Sequence, residues 1–230
     1  MLDLITSTEN AAMTVVYLFA FLAIMLVALP LHEYSHAKVA ALLGDDTPER
    51  SGRLTLNPFV HIDIMGVIAL LFMGVGWAKP VPVSAGRCKK VKPKLAMLLI
   101  SIAGPLSNFL LAFISMIIFR AVWICNFEVL QTSKECFELY ICRAISYFTS
   151  MNVSLTVFNL LPIPPFDGSR IFLAFLPTKL YFKIMRYERV IFGVMFILLI
   201  FGVFSVPLGF LSGCLYDFLV EATNFVEYLF

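Results

Sequence analysis

Long apolar stretches separated by short polar ones set the pattern of this chain. Residues 11–31 form a run broken only by Thr14 and Tyr17, and helix-compatible residues continue to Leu43, where Gly44-Asp45-Asp46 ends the pattern. Further apolar stretches cover 95–119, 139–161 and 190–206, each near the roughly 20 residues an α-helix needs to cross a bilayer. A shorter one, 62–76, carries Gly66, Gly74 and Gly76 and is short for a hydrocarbon core about 30 Å thick. From 208 to 230, Leu211, Leu215, Phe218, Leu219, Phe225 and Val226 recur at helical spacing among Asp217, Glu221 and Glu227. With no basic residue, that tail suits an amphipathic helix on the outer surface better than another span.

Composition turns this pattern into a fold class. Of 230 residues, 60% are hydrophobic and 14% charged, with a mean hydropathy of +0.92; a soluble domain carries about 25% charged residues. The expectation is a membrane α-helical protein, one domain over 1–230, with about four transmembrane helices, a re-entrant hairpin and a C-terminal amphipathic helix. The segment before the first run has no Lys or Arg and carries Asp3 and Glu9, so the run reads as a retained helix rather than a signal peptide.

Charge distribution decides how 62–76 is read. If it dips in and returns, 44–94 and 166–189 share a side with 13 Lys/Arg, against three (Arg120, Lys134, Arg143) opposite. If it crosses, the split is eleven to five. The re-entrant reading gives the stronger bias, so the basic side is cytoplasmic and both termini face away from it. A re-entrant loop is tolerated only where protein or a wet cavity covers it, which hints at a site. A net charge of +2 without a dense basic block excludes nucleic acid as a partner. Of the five Cys, a Cys125–Cys136 disulfide and isolated apolar thiols are equally open readings.

Candidate chemistry sits inside the first helix, at His32-Glu33-Tyr34-Ser35-His36. A spacing of four puts both imidazoles on one helical face, able to hold one zinc, with Glu33 within reach of an activated water. Ionisable groups inside a membrane helix are costly and mark function by default; a polar patch for a neighbouring helix or an ion path is the plainer reading. At about 1.5 Å per residue, His32 lies some 30 Å from Ala11, in the inner part of the bilayer. Catalytic zinc usually takes three protein ligands, and Asp167, Asp63, His61 and the distant glutamates are candidates for the third. Asp167 follows a helix stopped by Pro162, Pro164 and Pro165 and precedes Gly168; it is either a ligand or the N-cap of a helix running from Gly168 to about Leu176. Asn152 and Asn159, seven residues apart on one face, either bind substrate in the active cavity or serve as interhelical hydrogen bonds.

These residues resemble the site-2 protease family of intramembrane zinc metalloproteases, in its small bacterial form without a PDZ domain. The resemblance rests on His-Glu-Tyr-Ser-His at 32–36 and on Asn-Leu-Leu-Pro-Ile-Pro-Pro-Phe-Asp-Gly at 159–168, in that order. It is supported by Gly52–Pro58, His61-Ile62-Asp63, Gly76–Val83 and Ala103-Gly104-Pro105-Leu106-Ser107-Asn108, and covers roughly Leu26 to Leu176. Ile64-Met65 and Phe166 depart from the family pattern. The resemblance implies that His32, His36 and Asp167 bind Zn2+, that Glu33 is the catalytic base, and that Asn152 and Asn159 line the cavity. The catalytic core then spans about 11–176.

The function so implied is hydrolysis of peptide bonds in or near transmembrane segments of membrane protein substrates, in a bacterial cell membrane with the active site toward the cytoplasm. Zinc would activate the water and Glu33 take its proton. A helical substrate must unwind before attack, and Val81-Pro82-Val83 can receive it as an added extended strand. Two alternatives stand beside this: another zinc-dependent membrane endopeptidase, and a non-enzymatic metal transporter or sensor.

Overall fold

The computed structural model describes residues 11–73, 78–132 and 136–229, and every regular element among them is helical. The first helix, α1, is Ala11–Leu42. Its 32 residues extend about 48 Å at 1.5 Å per residue, so it exceeds a hydrocarbon core and projects past one side. Its pitch is not uniform. Pro30 has no N–H for the carbonyl four residues back and its ring crowds that carbonyl; Ile24–Ala28 widen into a π turn instead, with Leu29 N–H donating to the Ile24 carbonyl. The turn therefore comes directly before the histidine motif.

After α1 the chain makes two short helical turns, Thr47–Arg50 and Pro58–His61, and enters α2, Ile64–Met73. Asp63 starts α2 by accepting the Gly66 N–H on Oδ1 at 3.0 Å. Lys79 N–H then donates to the His61 carbonyl at 2.8 Å, so a segment that leaves at His61 has come back beside it by Lys79. Arg53, buried beneath, donates to the carbonyls of both Val60 and Lys79 and ties the two legs together. Gly74 and Gly76, at the end of the expected re-entrant segment 62–76, lie outside the described residues.

Two long helices follow, α3 at Pro93–Cys125 and α4 at Phe137–Asn159, each a few residues off the expected 95–119 and 139–161. The buried face of α3 reads Ser101, Gly104, Asn108, Ala112, Ser115. Small and polar residues at this spacing let helix backbones approach and hydrogen-bond where lipid gives no hydrophobic drive. Thr149 on α4 uses that face, its Oγ1 donating to Ser115 Oγ at 2.8 Å. The helix α1 packs against both, with Phe21, Ile24, Met25 and Ala28 meeting Leu111, Phe148, Met151 and Leu155.

Past α4 come α5 (Asp167–Leu173), α6 (Thr178–Arg186), α7 (Glu188–Ile200) and α8 (Ser205–Ala222). The pattern predicts one apolar span to 206, but α7 ends at Ile200. Gly202, at φ +70°, donates to the Leu199 carbonyl and Val203 to the Leu198 carbonyl, a Schellman stop that uses glycine's left-handed freedom. The chain then bends by 84°. The C-terminal helix packs against α4 and α3. Leu215 shares a groove with Leu106 and Phe109, Leu219 is buried on Ala112, Met116 and Val153, and Arg120 donates to the Val220 carbonyl, Asn224 and Glu227.

By length and apolarity, α1 and α3 can cross a membrane, and α7 with α8 can if the bent pair counts as one span. That is two or three against an expectation of about four. The helix α4 is not among them; Arg143 is exposed on it, while Thr149, Asn152 and Thr156 are buried inside the bundle. At one end, Lys94 Nζ donates to the Leu176 carbonyl and Lys90 N–H to the Leu43 carbonyl, bringing the basic loops together. All five cysteines are free, Cys125 and Cys136 included. Burial, with the nearby Asp45 charge, raises the pKa of the Cys88 thiol.

Arg120→Ala removes three charge-assisted contacts at the end of α8, of about 1.5–3 kcal/mol for such a bond when buried and less where exposed. The expected outcome is faster hydrogen exchange of 220–229 with unchanged zinc content, measured by mass spectrometry.

Candidate metal centre

His32 and His36 are successive on one face of α1, both buried, with their rings edge to face and centroids 4.7 Å apart. Their Nε2 atoms are 3.1 Å apart, and Asp167 Oδ2 lies 3.2 Å from the first and 3.1 Å from the second. Among the described residues this is the one cluster of three metal-ligating side chains. The spacing tests whether zinc fits. Tetrahedral zinc with bonds of about 2.0–2.2 Å requires ligand atoms about 3.3 Å apart, and the triangle of 3.1, 3.1 and 3.2 Å is within a few tenths of that. Two imidazoles and one carboxylate also leave the fourth position of a catalytic site open.

The ring of His36 is aimed by α3. Its Nδ1–H donates to the Ile100 carbonyl at 2.6 Å, and since a carbonyl only accepts, Nε2 is left with the lone pair a metal needs. The Asn108 amide stands 3.2 Å from His32 Nδ1. Between these two contacts lies Gly104, where an added Cβ would meet His36 Nε2 at 2.3 Å and His32 Cε1 at 2.6 Å. The imidazoles occupy the volume that any larger residue would fill.

Asp167 reaches the histidines from the opposite side. The helix α5 begins at Asp167 itself, with Phe166 in the capping position and no side-chain cap, so the carboxylate does not cap the helix and turns to the histidines. Gly168 lets the chain double back: an added Cβ would stand 2.2 Å from the Leu160 carbonyl oxygen. Phe166 packs on Phe158 with ring centroids 4.3 Å apart, which fixes the level at which Asp167 enters.

The triad borders a cavity of about 720 Å³ that Glu33 also lines. Glu33 Oε2 accepts the Val81 N–H at 3.0 Å, and 78–83 has no regular structure. Of the other candidates, His61 lines the cavity but bonds the Thr55 carbonyl through Nε2 at 2.8 Å and is not in the cluster; Asp63 is used at the start of α2. Asn159 lines the cavity. Asn152 is fully buried outside its wall, with Nδ2 donating to the Phe148 carbonyl and Oδ1 unpartnered. Gly104 and Asn108 stand in the family-like segment 103–108 but were given no part in the site; their spacing of four on one face of α3 was the available signal.

Gly104→Ala should therefore displace both imidazoles. Metal analysis of the purified protein is expected to find zinc occupancy reduced at least about tenfold, the scale of lost ligand support, while Gly86→Ala, with open space around it, keeps full occupancy.

Comparison with known proteins agrees with this geometry. The description "Peptidase family M50" matches residues 125–202, which include Asp167. The chain is 40% identical over 185 residues to "Putative zinc metalloprotease YwhC" of Bacillus subtilis (strain 168), covering 80% of each. It is 30% identical over 148 residues to "Putative zinc metalloprotease Rip2" of Mycolicibacterium smegmatis (strain ATCC 700084 / mc(2)155), covering 62% of this chain and 52% of that one. No solved structure matches. Identity at that level across four fifths of both chains, together with a zinc-spaced His-His-Asp cluster beside a glutamate, means that the chain belongs to peptidase family M50, the site-2 protease family of zinc metalloproteases.

Proposed function

We propose that this protein cuts peptide bonds in or near the transmembrane segments of other membrane proteins, with His32, His36 and Asp167 holding zinc and Glu33 as general base. The observation that carries this reading is the wall around the triad: Phe21, Met25, Leu155, Phe192, Met195 and Phe196 line the same cavity. That lining suits an apolar peptide, with Asp63, Arg170 and Glu188 as the charged side chains beyond the triad and Glu33.

Zinc bound there supplies Lewis-acid activation of water and of the scissile carbonyl. The chain does the rest. Glu33 takes the proton of the attacking water on its carboxylate and hands it to the departing amine nitrogen. The Val81 N–H steadies that carboxylate at 3.0 Å, so the segment 78–83 runs past the reacting centre, where it can take an unwound substrate as an added extended strand. Asn159 contacts the substrate from the wall, and Asn152 supports that wall from behind.

In the bilayer, α1, α3 and α4 cross, α7 and α8 cross together as a bent pair, and 62–76 dips in and returns, a reading supported by the backbone bond between His61 and Lys79. It gathers 13 of the 17 basic residues on one side, which the positive-inside rule makes cytoplasmic. The triad then sits toward the cytoplasmic face of a bacterial cell membrane, near the end from which water enters.

Glu33→Gln is expected to keep stoichiometric zinc while slowing cleavage of a membrane-embedded reporter by about 10²–10⁴-fold; undiminished cleavage would remove Glu33 from the role. Asp167→Ala should lower zinc stoichiometry sharply, and normal zinc content would redirect the third-ligand assignment. A soluble peptide cut as fast as the embedded reporter would favour the alternative of an endopeptidase acting on soluble or lipidated tails.

A further inference from the structure

We propose that Asn108 is a positioning residue for His32: its side-chain oxygen accepts the Nδ1 hydrogen that His32 must carry to present Nε2 to the metal. This rests on the reading of His32, His36 and Asp167 as zinc ligands, and adds a fourth residue, on a different helix, that the ligand set does not itself require.

The argument begins with the two imidazoles. Their Nε2 atoms face each other at 3.1 Å and both face Asp167 Oδ2, so Nε2 is the ligand nitrogen in each. A neutral imidazole with its lone pair on Nε2 has its hydrogen on Nδ1, and that N–H needs an acceptor. His36 has one that can do nothing else, the Ile100 carbonyl at 2.6 Å. His32 has Asn108, at 3.2 Å from Nδ1.

Asn108 carries its own unmet need. The side chain is fully buried, and among the described residues Oδ1 has no hydrogen-bond partner, while Nδ2 is the atom turned toward His32. An amide is nearly symmetric in shape, so a half-turn about its Cβ–Cγ bond exchanges oxygen and nitrogen within the same volume. The half-turn gives the orphan oxygen its donor and gives His32 the acceptor that metal binding through Nε2 demands. The exchange gives Oδ1 and the His32 Nδ1–H each a partner and leaves Nδ2 in the place Oδ1 held. Gly104 makes the reach possible. It stands one helical turn before Asn108 on the same face of α3, and its missing side chain brings that helix against the rings.

A purely structural Asn, gluing α3 to α1, would influence folding and leave the metal alone. The two roles separate in Asn108→Leu, of similar size but without an acceptor, and Asn108→Asp, which can only accept when ionised. Zinc affinity is read by competition with a chromophoric chelator, ligand geometry by the visible spectrum of cobalt-substituted protein, and packing by thermal melting in EDTA. The full chain in detergent should show zinc affinity weakened roughly 10–100-fold in Asn108→Leu, with altered cobalt bands. Asn108→Asp should match or exceed the unaltered protein. Wild-type affinity and bands in Asn108→Leu overturn the proposal, as does an equal loss in both variants that tracks their melting in EDTA. His36→Ala must abolish zinc binding; retained binding there defeats the ligand set rather than the Asn108 assignment. The unaltered protein offers a measurement that needs no variant to fold. With three histidines in the chain, nitrogen-15 labelling of the imidazoles resolves His32 in the zinc-loaded enzyme, where Nδ1 should bear a slowly exchanging hydrogen. An Nδ1 without hydrogen, or one exchanging freely with water, overturns the proposal.

Discussion

Two imidazoles and a carboxylate have to meet in the middle of a bundle made of apolar helices, and most of the packing follows from that demand. Polar groups so placed are costly unless each finds a partner. The partners come from three helices: α1 brings both histidines, α5 brings Asp167, and α3 brings the Ile100 carbonyl and the Asn108 amide. The meeting is possible because α3 lies close to α1, and it lies close because residue 104 is a glycine whose Cβ position is already filled by the histidine rings. Ligand geometry and helix packing are therefore one constraint.

The same demand explains the irregular backbone around the site. Pro30 forces a π turn at Ile24–Ala28, just before the histidines, and prolines 162, 164 and 165 stop α4 so that α5 can start at Asp167. Gly168 closes the turn against Leu160. These departures from helix lie around the cavity, where protein and water can satisfy freed backbone groups, as a membrane setting requires. Glu33 is treated differently from the triad. Its carboxylate is held by one backbone N–H from the irregular 78–83 segment, so the metal-spaced cluster is fixed by helices and the glutamate beside it by a loop. The legs of that loop are bound in turn by Arg53 and by the bond between His61 and Lys79.

Much of this was legible in the chain. The His32–His36 spacing lies within one helix and needs only 3.6-residue geometry to be read, and the resemblance of 159–168 to a family segment carried Asp167. For 62–76 the charge distribution favours a return to the starting side, and the described residues add to it only the backbone bond between Lys79 and His61. Other features were not legible because they depend on what a residue faces. The tail's helical periodicity is real, but it says nothing of whether the apolar stripe meets lipid or protein; Leu219 meets Ala112, Met116 and Val153. The helix α4 looks like a span by length, and its polar residues look like a cavity lining, yet Asn152 is sealed inside the bundle while Asn159 reaches the wall.

By itself the sequence determined the kind of protein: too few charges for a water-facing surface, a zinc-spaced histidine pair with a glutamate between, and a broken helix offering a carboxylate. Those are properties of composition and of residues close together in the chain, and local chemistry is enough to fix them. The tertiary structure decided which of Asp167, Asp63 and His61 joins the histidines, what aims each imidazole, and where the C-terminal helix lies. Those depend on contacts between residues dozens of positions apart, such as Gly104 and Asn108 against His32, or Arg120 against Glu227, and no periodicity along the chain encodes which faces will meet.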